Sequence, residues 1–182
     1  IEEGAENTSI LASIAGPFAV LLVPVVGIAA WQLAAAAITG FIAKENVVGT
    51  IATVYAITNF IDPDELELIG SGNAVAAAMG ITKVAALAYL MFNLYTPPCF
   101  AALGAMNSEM QSGKWLFAGI CLQLATGFTV GFLVYQIGTL ITTGSLGAGF
   151  VGGLIAVLVF VAVIVTLIMR ANRAIDTEYQ LD

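Results

Sequence analysis

Residues 150–169 read FVGGLIAVLVFVAVIVTLIM, an apolar run without a charge or a proline, closed by Arg170 and Arg173. An α-helix rises about 1.5 Å per residue, so a run of about 20 residues crosses the roughly 30 Å hydrocarbon core of a bilayer. Arginines at one end hold such a helix in the headgroup region. The stretch is a transmembrane helix, and the rest of the chain has to be read by the rules of lipid, where backbone polar groups are satisfied inside the protein.

Composition agrees with that reading. Hydrophobic residues make up 60% of the chain, charged residues 9%, and the mean hydropathy is +1.00, against about 25% charged in ordinary soluble domains. The chain is read as an all-α integral membrane protein, a helical bundle of about four to five membrane segments with broken or re-entrant helices. Upstream of the last helix the segments fall at about 9–30, 31–60, 81–106 and 115–141. The first is interrupted by Gly16-Pro17 and by Pro24, and proline in a helix interior removes a hydrogen bond and clashes with the preceding turn, so this segment is expected to be kinked or re-entrant. Residues 61–80 hold Asp62, Asp64, Glu65 and Glu67 and then Gly70-Ser71-Gly72-Asn73, a composition for an aqueous loop. Residues 107–114 form a short polar connection, and Trp115 and Tyr135 are placed near the two ends of the following helix as interfacial rings.

Lys114 and the Arg170/Arg173 pair are two crossings apart, and the positive-inside rule puts both on the cytoplasmic side. The 61–80 loop is then extracytoplasmic and the carboxyl-terminal tail cytoplasmic, with Lys83 the one lysine on the opposite side. With five Lys and Arg in all and a net charge of -7, the chain has no basic patch for nucleic acid. Histidine is absent, and Cys99 and Cys121 lie in or beside apolar segments as free thiols, Cys121 as a packing residue. The one Gly-Lys step, Gly113-Lys114, lacks the remainder of a P-loop, so nucleotide hydrolysis is not encoded here. The start at Ile1, with an acidic opening, reads as a piece of a longer chain. Gly127/Gly131 and Gly149/Gly153 have the four-residue spacing that lets helix backbones approach.

Two stretches carry candidate chemistry. TGFIAKENVVGT, residues 39–50, places Lys44 and Glu45 at mid-membrane depth, where each charge costs about 2.5–3.5 kcal/mol on insertion scales. They must face protein or water. Adjacent residues point about 100° apart on a helix, whereas Gly40 and Gly49 allow local unwinding, so a broken helix lining a polar path is expected. Thr39, Asn46, Thr50 and Thr53 add oxygen ligands or interhelical hydrogen bonds. In the second stretch, Thr96-Pro97-Pro98-Cys99, the prolines free backbone carbonyls, and such backbone is tolerated at this depth only where it is buried or lines a cavity. Cys99 and Glu45 together would suit a divalent first-row metal.

Three parts of the sequence resemble the FeoB family of bacterial ferrous iron transporters: Trp31-Gln32 through Gly40-Phe41-Ile42-Ala43-Lys44-Glu45 and Val48-Gly49-Thr50, then Tyr95 to Cys99, then Gly113-Lys114-Trp115 to Phe132-Leu133-Val134-Tyr135-Gln136. The pattern around Lys44-Glu45 is similar to the second of two gate repeats in that family. One departure is Pro97, where the family commonly has a bulkier apolar residue. The resemblance implies that residues 1–141 are the second gate-type repeat of a permease and 142–182 a final helix and tail. It implies a bacterial inner-membrane, multi-pass importer, with Fe2+ as transported substrate and no bound cofactor. The metal would meet Cys99 and Glu45, and Gly40, Lys44, Asn46, Thr50 and Pro98 would line the pathway or gate. Partners would be the bilayer, a GTP-binding domain and first gate repeat elsewhere in a full-length chain, and a homo-oligomer is allowed. The chain itself would be no enzyme. Two other readings stay open: a gate-type transporter of a nucleoside or other polar solute, and a non-transporting membrane anchor or assembly module.

Overall fold

The computed structural model describes residues 10–44, 46–55 and 79–179. Within them every regular element is a helix: α1 (Ile10–Val26), α2 (Trp31–Gly40), α3 (Asn46–Val54), α4 (Lys83–Tyr95), α5 (Phe100–Met110), α6 (Gly113–Thr143) and α7 (Phe150–Tyr179). The chain is an all-α, multi-pass membrane protein. Among the described residues three stretches are long and apolar enough to cross a bilayer, namely Lys83–Met110 taken through its break, Gly113–Thr143 and Phe150–Arg170; the bent pair α1 and α2 makes a fourth if counted as one. The 61–80 loop lies outside the described residues up to position 78, as does Glu45.

α1 and α2 meet at 99°. Pro24 removes a helical N–H near the end of α1, and Gly27 then turns the chain with φ 87°, a left-handed value that favours glycine. Space demands glycine as well, since a Cβ on Gly27 would lie 2.0 Å from the Tyr135 hydroxyl. That contact corrects the interfacial placement of Tyr135: its ring is buried, 8% exposed, in the core beside the α1–α2 corner. Gln136 completes the corner. Its side-chain amide donates to Pro24 O at 3.5 Å, and its carbonyl oxygen accepts from Gly147 N at 2.9 Å, joining the end of α1 to the turn before α7.

The core is built of small residues. Ala15, Ala19, Ala34, Ala35 and Ala88 are buried around Leu22, Val25, Leu33 and Tyr89. In lipid there is no hydrophobic drive between helices, so association rests on close packing, and small side chains allow it. The broadest helix contact is between α4 and α6. There Gly127 faces Phe92 O at 3.0 Å and Thr96 N at 3.2 Å, measured from the position a Cβ would occupy, and Gly131 faces Val25 and Ala88 O. The four-residue glycine spacing in α6 is a helix-packing device. Gly153 plays a similar part for α7 against Phe132 and Pro24, while most of α7 beyond it presents exposed Val, Leu and Ile.

Two further expectations change. Residues 107–110 are not a connection but the last turn of α5, which ends at Gln111 with φ 47°; the Ser108 hydroxyl donates back to Ala105 O at 2.8 Å. Cys121 is exposed on α6 rather than packed, because the α6 face that meets α4 carries the glycines.

Gly127→Leu should lower stability against unfolding by about 1–3 kcal/mol, as overpacking against backbone atoms that cannot yield. Gly104→Leu, where nothing lies within 4 Å of the added Cβ, should leave stability unchanged. Denaturant titration of the protein in mixed micelles measures the difference.

Candidate functional site

Each of two helical segments is broken, and the breaks face each other. The first lies between α2 and α3, where Phe41 N donates to Ile38 O at 3.1 Å and Ile42 N to Thr39 O at 3.0 Å, tight turns that end the α-helix. Unwinding occurs after Gly40 rather than at it. Gly40 is still helical, and a Cβ there would lie 2.3 Å from Val47 Cγ2. The glycine therefore serves close approach of α3 to α2, and Gly49, with open space around it, lies within a regular helix. The second break is Thr96-Pro97-Pro98-Cys99, between α4 and α5.

The chemistry of the second break follows from helix hydrogen bonding. Residue 97 would donate its N–H to the carbonyl of residue 93, but proline has none, so Asn93 O loses its helical donor. Thr96 O is left over by the turn away from the axis. The Lys44 ammonium hydrogen-bonds both, donating to Asn93 O and to Thr96 O at 3.1 Å, and reaches Thr96 Oγ1 at 3.5 Å. The Thr96 hydroxyl in turn donates to Asn93 O at 2.9 Å. A charge stranded in one segment thus meets carbonyls stranded in another. The Lys44 partners within the described residues are backbone and hydroxyl oxygens, not a carboxylate.

Other contacts hold the breaks in register. Phe41, just past α2, meets Phe100, the first residue of α5, edge to face with ring centroids 5.0 Å apart. The buried Tyr89 hydroxyl donates to Leu33 O at 2.7 Å, and the Asn93 amide donates to Tyr89 O at 3.0 Å. Cys99 sits at the N-cap of α5, three residues after Thr96, half-buried, and its side chain caps nothing. A cavity of about 370 Å3 lies beside the break; Leu22, Ile38 and Phe92 contribute to its apolar wall, and Lys44, Asn93 and Thr96 supply polar groups.

A second cleft, of about 570 Å3, is lined by Thr39, Asn46, Thr50 and Thr53 among apolar neighbours. Thr39 Oγ1 donates to Ala36 O at 3.0 Å and is paired with Thr50 Oγ1 at 2.8 Å. With the Thr39 proton so engaged, Thr50 is the donor of the pair. Thr53 Oγ1 donates back to Gly49 O at 2.9 Å.

Residues 3–113 match the family model described as "Gate: Nucleoside recognition". The chain belongs to the Gate family. It is also similar to the Fe(2+) transporter FeoB of Staphylococcus aureus strain MSSA476, 30% identical over 125 residues, covering 69% of this chain and 17% of that protein. The FeoB of Salmonella typhi is 28% identical over 191 residues, covering 81% of this chain and 24% of its own length. The resemblance to the FeoB gate region read from the sequence is borne out, and the Gate chain spans less than a quarter of these relatives' length. No solved structure matches it.

In this Gate chain the candidate residues divide between two places. Lys44 lies on the Pro97–Pro98 break with Cys99 close by and Gly40 in the adjoining cavity wall; Asn46 and Thr50 line the hydroxyl cleft instead. Glu45 is outside the described residues. No group of three or more Cys, Asp or Glu within metal-binding range occurs among the described residues. Sequence reasoning missed Asn93, although the signal was present: it stands four residues before Pro97, so its carbonyl is the one a proline there must orphan. Tyr89 and Gln136 carried no comparable signal.

Lys44→Met should destabilise the protein by about 1–3 kcal/mol, because it strips a charged donor from carbonyls that have no helical one. Lys114→Met, on an exposed side chain, should be neutral, and thermal unfolding of both variants in micelles makes the comparison.

Proposed function

We propose that this chain is the membrane-permease part of a ferrous iron uptake protein and contributes half of the ion pathway. The observation that carries the proposal is the pair of facing helix breaks tied by Lys44, set beside the similarity to the Fe(2+) transporters FeoB. Broken helices at a repeat interface are where transporters of many kinds hold ions, since freed carbonyls and helix ends supply the ligands.

On this reading residues 1–141 form the second gate-type repeat, and 142–182 the final helix and a cytoplasmic tail. The whole protein sits in the bacterial inner membrane, and a GTP-binding domain and a first gate repeat belong to its remainder. The Arg170/Arg173 pair favours a cytoplasmic carboxyl end. Fe2+ enters as a hydrated ion and exchanges water for protein ligands. Asn46 and Thr50 offer oxygen atoms on one side of the α2–α3 break. Cys99 offers a sulfur on the other, and Glu45 a carboxylate. A borderline metal suits such a mixture of soft and hard ligands. Pro98 keeps the thiol off a continuous helix, and Gly40 lets α3 pack close enough for the breaks to meet. The chain acts as a conduit and performs no covalent chemistry.

A second reading is favoured by the family description and by the hydroxyl-lined cleft, which has the polarity to hold a sugar or another polar solute. The two separate in one experiment. The full-length protein is expressed in cells without other ferrous importers, and anaerobic uptake of radiolabelled Fe2+ is followed. Cys99→Ser and Thr50→Val should each reduce uptake about ten-fold or more at normal membrane levels of protein, and excess nucleoside should not compete. Wild-type uptake in both variants would dismiss the roles assigned here; nucleoside uptake in place of iron would select the second reading. A membrane anchor would tolerate every one of these changes.

A further inference from the structure

Lys44 does more at the α4–α5 break than neutralise a charge. Three oxygens converge on its ammonium: Asn93 O, Thr96 O and Thr96 Oγ1. Two of them are carbonyls without a helical donor at a proline break, and backbone carbonyls with a neighbouring hydroxyl are the oxygen set by which proteins replace the hydration shell of a metal cation. The ammonium is itself a compact cation on a flexible four-carbon stem. Its backbone lies in the non-helical stretch between α2 and α3, so the side chain can leave without unwinding a helix.

We propose that Asn93 O, Thr96 O and Thr96 Oγ1 form a cation site that Lys44 fills with its own ammonium, a tethered cation that an entering metal ion must displace. The proposal rests on the permease reading for the identity of that ion, but the oxygen site stands on geometry alone. It follows from two constraints. Asn93 O has lost its helical donor at Pro97 and keeps the Thr96 hydroxyl alone beside the ammonium, and Thr96 O lies past the end of α4, so a cation at the break supplies what these oxygens lack at membrane depth. And two cations cannot share three oxygens, so lysine and metal are alternatives. With no metal present the lysine closes the site to adventitious ions. When a divalent ion with Cys99 as an added ligand takes over the oxygens, the amine swings away toward the cavity that Lys44 also lines. Alternation between the two occupants makes this break a gate that opens only to an ion able to outbid an ammonium held by its own chain.

The test uses the full-length protein in micelles and has two arms. In the unaltered protein a small membrane-permeant acylating reagent is applied with and without Mn2+, a divalent probe stable to oxidation, and modification of Lys44 relative to Lys114 is read by peptide mass spectrometry. Mn2+ should raise the relative rate at Lys44 five-fold or more. In the second arm Lys44→Ala is unfolded thermally in ethylammonium chloride or choline chloride at equal ionic strength. Ethylammonium, which can reach the oxygens, should raise the midpoint by several degrees in the variant and leave the unaltered protein unmoved; choline, too large, should do neither. A folded variant indifferent to ethylammonium overturns the site. An unchanged Lys44 rate in protein that demonstrably binds Mn2+ overturns the displacement, and this arm decides the matter if Lys44→Ala does not fold. A positive ethylammonium response without any Mn2+ binding supports the cation site and counts against the ferrous reading instead.

Discussion

A proline break inside an apolar helix leaves carbonyl oxygens that lipid cannot satisfy, and a lysine inside an apolar segment leaves a charge that lipid cannot solvate. In this protein each defect answers the other. Lys44 donates to Asn93 O and Thr96 O, which Pro97 and the turn at Pro98 have released. Neither element is stable at that depth alone, so α2–α3 and α4–α5 are obliged to meet. The arrangement of the remaining helices can be read as what permits the meeting.

Small residues supply that permission. Gly127 and Gly131 bring α6 against the backbone of α4 directly behind the break, and alanines let α1 lie close to α2 and α4. Tyr89 and Phe41 then set the angle, the first through its hydrogen bond to Leu33 O and the second through its ring on Phe100. Gln136 and Tyr135 lock the α1–α2 corner from the α6 side. Gly127 abuts Phe92 O and Thr96 N, so bulk added there presses directly on the backbone that carries the Lys44 oxygens.

The two polar places differ in chemistry. At the Lys44 break the acceptors are carbonyl oxygens with a thiol nearby, a mixed soft and hard set; the Thr39, Asn46, Thr50 and Thr53 cleft offers hydroxyl and amide groups without a fixed charge among the described residues. In the proposed permease the first would discriminate and the second would hydrate.

Period and composition determined that the chain is helical and lies in lipid, because a span of about 20 apolar residues has few other physical solutions. That regular helices had to fail within residues 39–50 and at Thr96-Pro97-Pro98-Cys99 was also legible, since charge and proline are local properties, although Gly40 and Gly49, read as the points of unwinding, both lie in helices. Which defect meets which was not. The pairing of Lys44 with Asn93 and Thr96 bridges positions 49 and 52 apart in the chain, and nothing in local sequence states that distance. Tertiary packing also overruled two local readings: Tyr135 went into the core because Gly27 left a space for its ring, and Gly40 proved to be a point of close approach instead of a hinge. A glycine or an aromatic ring declares what it can tolerate, and only its neighbours in space decide which tolerance is used.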